Sequence, residues 1–408
     1  MNSVGTKTGL IKNIAMLGVL QFGNYLVPLL LLPILTRRLG IEEFGTVAVT
    51  LAAIQIACIV ADYGFSVNAA HAVATNKSDL EYVRQKIGSV CAAKAIIVSI
   101  VIALTLLSVI FVSDFEKYRK LIFPACVALI AQAFIPTWVF QGLEQMKWIS
   151  IYGVAGKLIY AISVYTYAED STTVIYFWAL TQWVTLFASL WILKTLGFGM
   201  SLKNWRAIFT ELKSGLPYFI SRIAVTTYTA ASTVIVGATV STIEAAKFSI
   251  ADQVYKAAQG GVAPVNTALF PFMARTRAWR TFFLVILVVG VILSIICAVV
   301  AIFAGEFLVF IFGSEYHGVD RILQIYLVTA VINFFAIVFG YPVFAAIGNM
   351  KPANWSVYIG SLFYVCGLAV MWNADSITGE MVAFLVLMTE TLVLVIRFIT
   401  FSYLRSRI

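Results

Sequence analysis

The sequence predicts an all-α polytopic membrane protein with about 12 transmembrane helices. Of its 408 residues, 61% are hydrophobic and only 12% are charged, whereas a soluble domain has about 25% charged residues. Apolar runs long enough to cross a bilayer recur from Leu26 to Phe401. A soluble enzyme, a secreted disulfide scaffold and a disordered tail are therefore excluded.

Each predicted span is an apolar run of about 20 residues or more, bounded by polar connections. The predicted spans are 13–36, 44–70, 87–112, 121–140, 148–168, 173–193, 214–238, 247–273, 281–304, 321–348, 353–372 and 380–404. The first of them is too long for a signal peptide and lacks a convincing cleavage site, so it is expected to remain in the protein.

The distribution of lysine and arginine predicts the orientation. These residues are concentrated in the connections on the side of the N-terminus, and such connections are normally cytoplasmic. An even number of spans places both termini on that side. The longest polar connection falls near the midpoint, which predicts a six-helix bundle over 1–196, a cytoplasmic linker over 197–213 and a second six-helix bundle over 214–408.

The formal charge of +9 fits the basic loops that orient membrane helices, so we expect no nucleic-acid partner. The five cysteines all lie in apolar segments without C-x-x-C spacing, which indicates buried apolar residues rather than a redox or metal site.

Catalytic signatures are missing from the sequence. It has two histidines, His71 and His317, both at span ends, which is too few for a convincing metal site or triad. The glycine-rich stretch 153–158 has the wrong spacing for a phosphate loop. We therefore expect a protein that is not an enzyme and has no cofactor.

Charged residues within the predicted spans are the informative feature, because an ionised group in hydrocarbon is costly and usually faces a bundle interior or a watery cavity. The cations are Lys94, Lys157, Arg222, Lys256 and Arg397, and the acidic residues are Asp62, Asp252 and Glu390. The excess of cations predicts a cavity that accepts an anion such as a diphosphate, with Arg222, Lys256 and Lys157 as the substrate-binding residues.

Several of these charges also have a purely structural interpretation. Asp252 and Lys256 lie four residues apart on one helix face and could simply pair. Arg397 shares a helix face with Glu390 and, like Lys94, is close enough to a helix end to snorkel to the interface.

Asp62 has no obvious partner within one helical turn. It must pair across helices, take up a proton or meet a cation, and we retain it as the candidate for ion or proton coupling. Gln21, Asn24 and Tyr25 on span 1 are polar groups that could line a passage or join helices.

Span 8 contains a potential interruption at Gly260, Gly261 and Pro264, next to the polar Gln259. Glycine tolerates irregular backbone and proline removes a donor, so this stretch predicts a break that serves as a hinge or lines a cavity. An ordinary proline kink used only for packing is the alternative.

Five segments together resemble a known family. They are 35–45 (LTRRLGIEEFG), 61–65 (ADYGF), 141–146 (QGLEQM), 264–271 (PVNTALFP) and 340–349 (GYPVFAAIGN). Their order along the chain is similar to that of the O-antigen (Wzx-type) flippases of the multidrug/oligosaccharidyl-lipid/polysaccharide (MOP) exporter superfamily.

This resemblance implies a V-shaped pair of six-helix bundles around a central cavity. The implied function is to move undecaprenyl-diphosphate-linked O-antigen units from the cytoplasmic to the periplasmic leaflet of the bacterial inner membrane by alternating access, driven by a proton or sodium gradient. It places Asn24, Asp62, Arg222 and Lys256 on spans that line the cavity. An O-antigen polymerase and a chain-length regulator are candidate partners, and a monomer is the default.

Two other functions remain open. A cation-coupled multidrug exporter of the same superfamily would suit Asp62, although the excess of cations does not suit cationic drugs. An O-antigen polymerase would act on the same lipid-linked sugars, but such enzymes usually carry a sizeable periplasmic loop and the sequence has none.

Overall fold

In the computed structural model, residues 7–111, 118–202, 204–313, 316 and 318–405 are described, without the side chains of 7–26, 109–111 and 307. These residues form α-helices and no strand, which confirms the all-helical prediction. The helices are α1 (Lys7–Asp62), α2 (Phe65–Thr75), α3 (Leu80–Phe111), α4 (Arg119–Phe134), α5 (Thr137–Gly142), α6 (Met146–Tyr167), α7 (Ser171–Thr195), α8 (Arg206–Thr229), α9 (Ala231–Thr239), α10 (Thr242–Thr276), α11 (Trp279–Ile302), α12 (Ala304–Phe312), α13 (Val319–Val338), α14 (Tyr341–Ile347), α15 (Lys351–Asn373) and α16 (Gly379–Arg405).

Nine helical segments within the described ranges are long and apolar enough to cross a membrane, or ten if the bent pair α8 and α9 forms one span. The number is lower than the predicted twelve for two reasons. Helix α1 contributes one such segment, Val27–Asp62, although it covers most of two predicted spans. Helix α10 contributes none, because it carries many charged and amide side chains. The protein is thus a multi-pass membrane protein, as predicted.

Helix α1 is interrupted at Gly40, where the backbone has φ 74° and ψ 171°. Glycine adopts such a conformation without the steric cost of a β-carbon. The interruption lies in the segment 35–45, so the turn predicted between the first two spans is present.

The described chain forms two compact units. Of the described residues, the first contains those up to Val27 and those from Thr50 to Ile223, and the second contains Pro28–Val49 and those from Ala224 onwards. The bundle boundaries at 196 and 214 remain a prediction about how the chain is organised.

In the first unit, α7 packs against α4 and α6, while α2 packs against α5. Its buried core contains Phe65, Trp138, Phe140 and Tyr152. In the second unit, α13 is central and packs against α10, α11 and α16. Helix α11 leaves much of its apolar surface exposed, including Leu287 and Ile302, as expected for a face in contact with lipid.

Candidate functional site

Asp62 is the centre of a charged cluster in the first unit. Its carboxylate lies 3.4 Å from Lys94 Nζ on α3 and 3.4 Å from Arg222 Nη1 on α8. Ser66 donates a 2.6 Å hydrogen bond to Asp62 and accepts one of 2.9 Å from Arg222. Of the three alternatives open for Asp62, the structure therefore contains the pairing across helices.

Lys94 is buried rather than directed to the interface. Its side chain is 6% exposed, and Nζ also donates to the carbonyl of Ala133 at 3.0 Å. The snorkelling interpretation of Lys94 is therefore wrong, because a carboxylate and a free carbonyl solvate the ammonium inside the unit.

The cluster is held by a close approach of the 61–65 turn to α8. Gly64 has φ 80°, and a β-carbon there would lie 2.5 Å from the Cβ of Tyr218 and 2.9 Å from the carbonyl of Gly215. The rings of Tyr63 and Phe219 stack at 4.6 Å. Glycine at position 64 thus supplies both the left-handed backbone and the space for α8, which brings Arg222 to Asp62.

A second polar contact joins α3 to α8. Lys86 Nζ lies 2.7 Å from a carboxylate oxygen of Glu211, which also accepts a 3.1 Å bond from Ser89. Glu211 is buried, so this carboxylate is satisfied by protein rather than by water. Glu211 is not among the predicted site residues because it lies outside the predicted spans.

Lys157 lies on α6 in the first unit, at a pocket that Asp62 does not line. It lines a pocket of about 400 Å³ between α4, α5, α6 and α7, together with three glutamines, Gln132, Gln141 and Gln182. Arg222 is not among the lining residues. Charged residues alone do not point to these glutamines; uncharged amides within apolar helices are the signal that does.

Lys256 belongs to the second unit. It lies 2.6 Å from a carboxylate oxygen of the buried Asp252, one helical turn away on α10. The local pairing expected from their spacing is therefore confirmed. The predicted cations are thus divided between two units, with Arg222 and Lys157 in the first.

Gln259 is part of a buried polar contact in the second unit. Its amide donates to the hydroxyl of Tyr255 and to the side-chain oxygen of Asn333, both at 2.8 Å. The buried Glu390 interacts with the same Asn333. Gln259 thereby links α10 to α13 and contributes to packing.

Arg397 is buried and bound to backbone. Its guanidinium donates to the carbonyls of Ala336 at 2.6 Å and Ala353 at 3.2 Å, and to the hydroxyl of Ser356 at 2.8 Å. Ala336 is near the end of α13, where the helix stops before α14. Arg397 is thus a structural residue that supplies donors to helix ends, and it does not snorkel.

The predicted break in span 8 is absent. Helix α10 is continuous through Gly260, Gly261 and Pro264. The prediction of an interruption is wrong because one proline removes a single donor, which a well-packed helix tolerates as a local adjustment. A hinge at this position remains a prediction.

The remaining predictions concern the polar residues of span 1 and a metal site. Gln21, Asn24 and Tyr25 lie within α1, but their side chains fall outside those that the structure describes. No cluster of three or more metal-binding side chains is found among the described residues.

Comparison with known proteins adds the family. The sequence pattern of a family described as polysaccharide biosynthesis protein matches residues 10–277, which is more than half of the chain. The chain belongs to this family.

Two relatives are named as O-antigen transporters. The protein from Shigella dysenteriae is 27% identical over 279 residues, covering 66% of this chain and 68% of the relative. The protein from Escherichia coli (strain K12) is 26% identical over 280 residues, covering 66% of each chain.

Two solved structures share the fold. An inward-facing multidrug resistance MATE family transporter of the MOP superfamily superposes with a TM-score of 0.72 at 14% identity, covering 95% of this chain and 94% of its own. The lipid II flippase MurJ, in an inward closed conformation, has a TM-score of 0.72 at 12% identity, with 96% and 86% covered. The MOP-type fold expected from the sequence is thereby confirmed.

Proposed function

We propose that this protein is a flippase that moves undecaprenyl-diphosphate-linked O-antigen units from the cytoplasmic to the periplasmic leaflet of the inner membrane. The observation that carries the proposal is the family match over residues 10–277, together with relatives named as O-antigen transporters. The MOP-type fold supports transport, and the same fold occurs in a flippase of another lipid-linked substrate.

The charges inside the helices fit an anionic cargo. Lys157, Arg222 and Lys256 all lie within the predicted membrane spans, where an ionised group is costly and often marks a transport pathway. In the proposed mechanism, such cations offset the negative charge of the cargo while the polyprenyl chain stays in lipid. Alternating access would expose the sugar and diphosphate first to one side of the membrane and then to the other.

Asp62 offers a chemical link between substrate and ion. Arg222 is 44% exposed and shares the carboxylate with the buried Lys94. A diphosphate that attracts Arg222 would compete with Asp62 for it, and Asp62 could then accept a proton or a sodium ion. This exchange would couple transport to a proton or sodium gradient.

The remaining features of the proposal concern the cellular context. Both termini would be cytoplasmic, because lysine and arginine are concentrated on that side. The protein would work as a monomer and deliver its cargo to an O-antigen polymerase and a chain-length regulator.

A multidrug exporter is the second candidate, because the MATE transporters share the fold. The cationic residues within the spans argue against it, since they would repel cationic drugs.

The test is a chromosomal deletion in the organism that encodes the protein, examined by lipopolysaccharide gel with and without a plasmid copy. We expect the deletion to remove every O-antigen-bearing band and to trap lipid-linked units on the cytoplasmic leaflet. The plasmid should restore the ladder.

Other outcomes would contradict the proposal in recognisable ways. A surviving band of core plus one unit would indicate a polymerase. An unchanged ladder with lost dye efflux would indicate a drug exporter.

A further inference from the structure

The pocket that contains Lys157 is a polar cavity inside the first unit. Its volume of about 400 Å³ is within the range of small-molecule sites. Besides Lys157 and the three glutamines, it is lined by Tyr152, Trp178 and three threonines of α5 and α7. The cavity thus presents many hydrogen-bonding groups in the interior of a helical membrane unit.

The lining favours a ligand rich in oxygen over a cation. None of the lining side chains is a carboxylate, and Lys157 is the single charged residue among them. Hard cations in proteins are held mainly by carboxylates and carbonyls, and a lysine beside them would repel the ion. The amides, by contrast, can both donate and accept.

Three polar atoms at this pocket have no hydrogen-bond partner in the structure. They are Gln132 Oε1, Tyr152 OH and Trp178 Nε1, and all three are buried. Buried polar groups normally have a partner, so an orphaned set of this kind indicates missing water or ligand. The set consists of an acceptor, a donor and a hydroxyl that can do both. A sugar hydroxyl can donate and accept, so it could bind any of the three atoms.

We propose that this pocket binds one sugar residue of the transported unit, with a preference for an acidic sugar. Lys157 donates to the carboxylate or hydroxyl oxygens, the glutamines bind further hydroxyls, and Trp178 supplies an apolar surface for the ring. This inference rests on the proposed function and specifies the substrate class that one of its sites recognises.

The test measures the tryptophan fluorescence of the purified protein in detergent. Glucuronate, glucose and sodium chloride are added in separate titrations. We expect saturable quenching by glucuronate, weaker quenching by glucose and none by sodium. Trp178→Phe should remove the signal, whereas Trp191→Phe, on the exposed face of the same helix, should keep it.

Lys157→Met should weaken glucuronate binding by at least about tenfold, because a charge-assisted hydrogen bond is lost. It should change glucose binding much less. Lys194→Met, an exposed residue on α7, is the matched control and should bind as the wild type does. Gln182→Leu provides a second variant if Lys157→Met does not fold, and it should weaken the binding of both sugars.

Quenching by sodium alone would overturn the proposal in favour of a cation site. The absence of quenching by either sugar would overturn it in favour of ordered water. These results are separable from the proposed function: a deletion that keeps its O-antigen ladder refutes the function whether or not the purified protein binds glucuronate. A deletion that loses the ladder, combined with normal export by Gln182→Leu and no sugar binding, refutes only the pocket.

Discussion

The two units of the molecule bury charge in different ways. In the first unit, Asp62 meets cations from two other helices, Lys94 on α3 and Arg222 on α8. In the second unit, Lys256 pairs within its own helix and Arg397 binds backbone carbonyls. In the first unit one carboxylate is shared by two cations, whereas in the second one cation pairs within its own helix and the other binds the backbone of α13 and α15.

This difference separates charges that can change partner from those that are fixed. A carboxylate shared by two cations can lose one of them and remain paired, so its energy varies gradually with geometry. A guanidinium that satisfies several carbonyls leaves orphaned acceptors when it moves. The first unit therefore has the more adaptable charge cluster, and the second has the more rigid one.

The largest effect is expected for Arg397→Met. The substitution leaves the carbonyl of Ala336 without its side-chain donor, and it removes one donor each from the carbonyl of Ala353 and the hydroxyl of Ser356. We therefore expect a loss of about 3 kcal/mol in the free energy of unfolding. Thermal unfolding of the purified protein measures it. Arg275→Met, at an exposed position of α10, is the control and should change stability by less than about 0.5 kcal/mol. An unchanged melting temperature for Arg397→Met would contradict the structural role of Arg397.

A double-mutant cycle on Asp62 sharpens the comparison. The coupling of Asp62→Asn with Lys94→Met should be about 2 kcal/mol, because the buried lysine loses its carboxylate. The coupling of Asp62→Asn with Arg222→Met should be below about 1 kcal/mol, because the guanidinium is 44% exposed and water compensates. Equal coupling free energies for the two pairs would mean that the exposure of the cation does not determine the strength of its interaction with Asp62.

The smallest effect on stability is expected at Asp170, which caps the start of α7 outside the predicted spans. The side chain of Asp170 accepts a 2.8 Å hydrogen bond from the backbone N–H of Thr173. The interaction with Thr173 lowers the pKa of Asp170. Asp170→Ala should cost about 1 kcal/mol at neutral pH, whereas Asp170→Asn retains the cap and should cost little.

The pH dependence of this cap has a defined sign. Because the pKa of Asp170 is lower in the folded state, its stabilising effect is present above the unfolded pKa of about 3.9 and is lost as the pH falls through the folded value. Thermal unfolding as a function of pH should therefore show the wild type losing stability relative to Asp170→Asn in acid. Parallel curves for the two proteins would show that the charge contributes nothing.

The sequence was informative wherever a pattern is local. The spans follow from runs of apolar residues, and the pairing of Asp252 with Lys256 follows from their spacing on one helix. The partners of Asp62 could not be predicted in the same way, because they are 32 and 160 residues away in the chain. Their meeting depends on Gly64 allowing α8 to approach.

The predictions that were wrong also concern features that depend on contacts between distant parts of the chain. Lys94 is close enough to a helix end to snorkel, and only the tertiary position of Asp62 and Ala133 makes burial favourable. The glycines and proline of α10 resemble a break, but the packing around the helix decides whether it stays continuous. The glutamines of the Lys157 pocket come from separate helices, so no spacing in the sequence connects them.

The position of Arg397 also bears on the order in which the protein can be completed. The chain is synthesised from the N-terminus, so the end of α13 enters the membrane 61 residues before its guanidinium partner exists. Until α16 is inserted, the carbonyl of Ala336 must rely on water or on the translocation machinery. Nascent chains that end before α16 should therefore be recognised as unfinished and degraded, although nearly all of their spans are already in place.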